Sequence, residues 1–264
     1  MNAFIFFALS VGGIVAIAYF AYWWNRHGGG KALREQEERR KRERAASAAA
    51  RGWQYDPTIN GDIHYRISGQ LEDGRDWHLE YNADQSSSSS SPKLIFRVPS
   101  PAERGHAWVI HDRRTWSFMQ KGGVRAVASG ILKLAGAFSD EMRTRKEFFL
   151  NARILPAGSG VFREHFVLVS QDDKWTALVS SSIERQILHW PAFKQSMTNR
   201  DNCFSAELTD AGLKVQLFAD APDFAVIEHM VRLGQALAAR HASVEAGETA
   251  GQSDDTGFTQ SRAR

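Results

Sequence analysis

From Met1 to Trp24 the chain carries no charged side chain, and the 22 residues from Ala3 to Trp24 form one apolar run. A helix of that length spans about 33 Å, enough for a hydrocarbon core of roughly 30 Å. The run predicts a retained membrane anchor over residues 1–24. A cleaved secretory signal would have a basic start, a shorter apolar stretch and a small-residue cleavage site. Tyr22, Trp23 and Trp24 close the run, where amphipathic rings favour the headgroup level, and Arg26, Lys31 and Arg34 follow directly. Positive charge stays on the cytoplasmic side, so this order predicts an inner-membrane protein with its N-terminus outside and the rest of the chain in the cytoplasm.

The rhythm then turns polar. Residues 25–51 place Glu35 before Arg39, Glu37 before Lys41 and Glu38 before Arg42, acid four residues ahead of base, and the alanines that follow add helix propensity without an apolar face. This predicts a solvated helical spacer.

Beyond residue 51 the apolar positions alternate. Ile63, Tyr65, Ile67 and Gly69 and then Trp77, Leu79 and Tyr81 flank Glu72-Asp73-Gly74, which predicts a β-hairpin. A three-residue loop pairs Ile67 with Leu79 and Tyr65 with Tyr81, whereas a two-residue loop would put the two apolar sets on opposite faces. The other face then sets Arg66 against Glu80 and Ser68 against His78 and reads as solvated. A second hairpin sets Phe204, Ala206 and Leu208 against Leu217, Val215 and Leu213, with Glu207 opposite Lys214. Further strands are expected at 94–98, 107–111, 115–119, 148–155 and 162–170. Helical spacing predicts one helix from Trp175 to Trp190, another from Pro222 to His241, and a third over 124–138. The expectation is an α+β fold, a mainly antiparallel sheet with two or three packed helices over 52–242. A serine-rich loop lies at 86–91 and a disordered tail at 243–264.

Charge bookkeeping relocates the basicity. Residues 25–51 hold nine Lys/Arg against four Glu, a local +5 within a total of +3, which leaves 24 Lys/Arg against 26 Asp/Glu elsewhere. The basic balance belongs to the juxtamembrane segment, so no nucleic-acid partner is expected for the domain. The one cysteine, Cys203, forms no disulfide within the chain, in keeping with a reducing compartment.

Candidate chemistry is sparse. The chain has no HExxH, paired CxxC, GxxxxGK[ST] or GxSxG, so no catalytic residue, cofactor or metal is assigned. Pro156-Ala157-Gly158-Ser159-Gly160 reads as a tight connection. His111 and Asp112 alternate across one strand, which argues against a metal site with His106. Arg163 and His165 are expected on one face of a strand. Trp108 and Trp116, on either side of Arg113 and Arg114, are the candidate interaction surface. Ala8, Gly12 and Ala16 recur at intervals of four, a stripe through which two anchors would meet as a homodimer.

The uncharged N-terminal run, the Glu/Arg/Ala-rich segment ending in Arg51-Gly52-Trp53, and then Gly61-Asp62-Ile63, Leu188-His189-Trp190-Pro191 and Gly212-Leu213-Lys214-Val215 resemble uncharacterised single-pass bacterial inner-membrane proteins. The resemblance implies a membrane-tethered cytoplasmic domain and carries no activity. The functional expectation is an interaction or regulatory module without catalysis, with the bilayer and a second membrane protein as partners. The alternatives are an enzyme acting on a membrane-proximal substrate and a lipid-sensing barrel of the pleckstrin-homology type.

Overall fold

The structure is a computed structural model and describes residues 19, 22, 29–57, 63–82, 92–99, 107–120, 147–148, 151–189, 204–218 and 222–247. The expected anchor falls almost wholly outside these residues, as do Ala8, Gly12, Ala16, Trp23, Trp24 and Arg26 and the expected helix at 124–138. Among the described residues no helix is long and apolar enough to cross a membrane. The chain divides into two compact units, residues 1–55 and 56–264.

In the first unit, helix α1 (Gly29–Ala49) has 21 residues, a length of about 31 Å. Its polar side chains surround it without an apolar stripe, as expected of a solvated spacer. Lys41 pairs with Glu38 at 3.1 Å and Glu37 at 3.7 Å, while Arg39 lies 3.9 Å from Glu43 instead of pairing back to Glu35. Gly52 ends the helix. Its φ of 71° lets Gly52 N–H reach the Ala49 carbonyl and Trp53 N–H the Ala48 carbonyl, both at 3.0 Å, the bond pair of a Schellman cap. The short strand β1 (Gln54–Asp56) follows.

The second unit contains β2 (Ile63–Gln70), β3 (Asp76–Asn82), β4 (Lys93–Val98), β5 (Trp108–Asp112), β6 (Arg153–Leu155), β7 (Phe166–Ser170), β8 (Phe204–Thr209) and β9 (Gly212–Phe218). They lie side by side in the order β2-β3-β4-β9-β8-β5-β7-β6, and every ladder among them is antiparallel. This order is linear among the described strands. Both hairpins have the registers that their apolar sets predict, including Tyr65 with Tyr81, Ile67 with Leu79, and Glu207 with Lys214. Gly74 at φ 82° is the left-handed residue of the first turn, which closes through Leu71 N–H to Arg75 O at 2.8 Å.

Alternation sends Ile67, Leu79, Phe96, Val215, Ala206, Ile110 and Leu168 to one face, successive partners across seven strands and all buried. Helix α5 (Phe224–Glu245) packs over β4 and β9 on that face with Ile227, Met230, Val231, Leu233 and Leu237. It is longer than the pattern predicts and takes up the first residues of the expected tail. Asp223 is its N-cap, accepting from Val226 N–H at 2.9 Å, and Arg240 donates to the Ala177 carbonyl at 2.9 Å. Gly234 brings the helix down onto Phe96, where a Cβ would stand 2.3 Å from the ring.

Several expected elements differ. Residues 115–119 are not a strand but part of helix α2 (Arg113–Gln120), which packs against β5 and β7. The expected strand at 148–155 is reduced to β6. The one at 162–170 divides into helix α3 (Gly160–His165) and β7, so Arg163 and His165 are helical. The expected helix from Trp175 breaks into a 3₁₀ turn (Asp173–Leu178) and helix α4 (Ser181–Leu188), because Ser180 is extended and its hydroxyl accepts from Ile183 N–H.

Candidate functional site

The second face of the sheet changes character along its width. Ser68, His78, Arg97, Lys214, Glu207, Val109, Val169 and Ile154 are successive partners across it. The polar half is less wet than its sequence implies, since Glu80 and Glu207 are buried beneath their partners. Glu80 accepts from Arg66 Nε at 3.0 Å, and Glu207 from Lys214 Nζ at 2.9 Å. His78 is half-buried, and desolvation holds its pKa below the ordinary value despite Glu80 Oε1 at 3.9 Å. Both carboxylates, Glu80 and Glu207, already have a cation, in Arg66 and Lys214.

The apolar half is covered from outside. Val109, Val167 and Val169 form a cluster with Trp116 and Phe148, while Trp108 points into the opposite core among residues such as Ile110. The two indoles proposed as one surface are therefore buried on opposite sides of the sheet. Of that set, Arg114 is exposed and Arg113 half-buried. Of the residues expected at a membrane interface, Tyr22 is exposed and Arg34 lies exposed on α1; Lys31 belongs to the same helix.

Arg113 leads to a cleft among the described residues. It begins α2 directly after β5, and it lines a cleft of about 240 Å³ at the β6–β7 end of the sheet. Arg163, carried by α3, lines the same cleft. Ile154, Pro156, Ala157 and Phe166 supply apolar wall. The local fold that sets Arg163 there is built from Gly158, at φ 70°, and Ser159. The Ser159 hydroxyl accepts from Phe162 N–H at 3.3 Å to cap α3 and donates to Glu184, whose other oxygen accepts from Ser159 N–H at 2.9 Å. Ser159 is thus a cap that joins α3 to α4.

Neither guanidinium has an acceptor among the described residues, and Arg113 Nε is buried without one. Such a pair suits an oxyanion, because each fork offers parallel N–H donors to two oxygens. Sequence reasoning reached Arg113 through its neighbouring tryptophans and missed Arg163 by reading its segment as a strand. The signal was Gly158-Ser159-Gly160, which caps a helix instead of connecting two strands. Among the described residues no group of His, Cys, Asp and Glu is gathered as metal ligands would be. His111 pairs with Val167 and Ser205 and Asp112 with Phe166, on alternate faces as their spacing predicts. No family model, characterised protein or solved structure matches the chain.

Proposed function

We propose that the chain is a single-pass inner-membrane protein whose cytoplasmic α+β domain is a non-catalytic interaction or regulatory module for another membrane protein. The observation that carries this reading is the chemistry of the cleft. Among the described residues two arginines and apolar side chains line it, a set suited to holding a ligand. The tether finds its support in the uncharged run before Trp24 and in α1, a helix polar on all sides that spaces a domain from a bilayer. Anchoring confines the domain near its partners and raises their effective concentration without new contacts.

Purification of the tagged full chain in a mild detergent, after cross-linking in intact cells, tests the proposal. One defined membrane protein is expected to accompany it in constant ratio. Repeated recovery of the chain alone refutes the reading.

A further inference from the structure

We infer that the Arg113–Arg163 cleft is a binding site for a small monocarboxylate with an apolar body. The inference rests on the reading of the cleft as a binding site and is independent of the tether and of the membrane partner.

Three features define the ligand. The first is charge: two guanidiniums from separate elements line one cleft, and no described carboxylate neutralises either.

The second feature is the wall. Ile154 lies on β6, the last strand in the order, and is 44% exposed, one of few large apolar side chains so exposed among the described residues. With Pro156, Ala157 and Phe166 it makes an apolar lining that an inorganic anion would leave in water. A ligand with hydrocarbon behind its charged head covers it and gains from the burial.

The third is size. A cleft of about 240 Å³ lies just below the range of about 300–1,000 Å³ that holds drug-sized ligands, the scale of a short-chain or single-ring carboxylic acid. A carboxylate presents two coplanar oxygens to a guanidinium fork, so the second arginine either shares those oxygens or strengthens the local field.

Calorimetric titration of the full-length protein in detergent, with phenylacetate as the probe, tests the assignment. Phenylacetate is expected to bind saturably, one per chain, and phenylacetamide, the neutral isostere, at least tenfold more weakly. Arg163→Gln, at an exposed position that leaves the fold intact, is expected to weaken phenylacetate about tenfold or more, as loss of a charge-assisted bond does. Arg163→Lys keeps the charge without the fork and is expected to fall between. Equal binding of acid and amide, an unchanged affinity in Arg163→Gln, or no saturable binding up to ~10 mM overturns the proposal. Inorganic phosphate binding as tightly as phenylacetate also overturns it, by showing that the wall contributes nothing. A membrane partner recovered alongside a failed titration would sink this site and leave the module reading standing.

Discussion

Replacing Gly234 with alanine sets two effects against each other on one helix. In an exposed helix the change gains about 1 kcal/mol from propensity. Here the new Cβ would stand 2.3 Å from Phe96 Cδ1 and Cε1 and 2.8 Å from Cγ. Carbon atoms rest about 3.5 Å apart or more, so the ring must retreat by about 1.2 Å. Phe96 is fully buried and stacks on Trp77 with centroids 5.5 Å apart. Trp77 cannot yield in turn, since its ring lies over Gly69, where even a Cβ would come within 2.7 Å of Cζ2. Two glycines therefore bracket the aromatic pair from helix and strand. Overpacking of a filled core costs about 1–3 kcal/mol, and a site without slack falls at the upper end, which leaves a net loss of about 2 kcal/mol. For a domain of this size that lowers Tm by roughly 4–8 °C. Thermal unfolding of the purified chain, followed by near-ultraviolet circular dichroism, reads the change. Phe96→Leu makes room, so the double variant should be more stable than the sum of the two single losses, with a coupling of about 1 kcal/mol. An unchanged or raised Tm in Gly234→Ala would refute the reasoning.

At Gly74 space is free but φ is 82°, so Gly74→Ala should cost about 1–2 kcal/mol of stability and Gly74→Asn less, measured in urea. Asp223→Ala removes the cap of α5 and should cost about 1 kcal/mol in the same titration, with Asp223→Ser near wild type. Burial lowers the pKa of His78, and of His229, whose Nε2 donates to the Gln186 carbonyl at 2.8 Å. Below the ordinary value of 6.5 the unfolded chain takes up protons that the fold resists, so stability should fall on acidification from that pH; Tm against pH should flatten in the His78→Gln, His229→Gln variant. Changing Lys31, Arg34, Arg39, Arg40, Lys41 and Arg42 to glutamine should scramble the orientation of the domain, read by protease protection in sealed vesicles, and a domain still uniformly cytoplasmic would contradict the charge argument.

The hairpins were legible because their information is local: a turn residue tolerating positive φ, and apolar sets that only one register places together, as at Ile67 with Leu79 and Leu208 with Leu213. Residues 115–119 were not, since Thr-Trp-Ser-Phe has the composition of a strand. Trp116 joins Val109, Val167 and Val169, and the chain forms α2 beneath β5 and β7 to bring it there, so tertiary packing overrides propensity. The break at Ser180 was written in the sequence as a cap before Ile183, but the continuing apolar spacing of Trp175, Leu178 and Ile183 masked it. For the cleft, sequence reached Arg113 and not Arg163. The two are 50 positions apart, and only the placement of α3 beside α2 sets them on one cavity.

The order of the strands gives synthesis of this domain a direction. Among the described residues the hairpin β8–β9 is the last β-structure made, yet it stands between β4 and β5 and is the only link the described ladders provide between the two halves of the sheet. A nascent chain that has emerged only as far as residue 203 presents two open edges, one bearing Leu94, Phe96 and Val98 and the other Trp108 and Ile110. Such edges are templates for pairing with another chain. Closing them requires contacts over more than 90 residues of sequence, so commitment to the fold comes late, and its hazard is greatest just before the hairpin appears. A stop codon shortly upstream of Phe204 should therefore yield an aggregating fragment rather than a smaller folded protein.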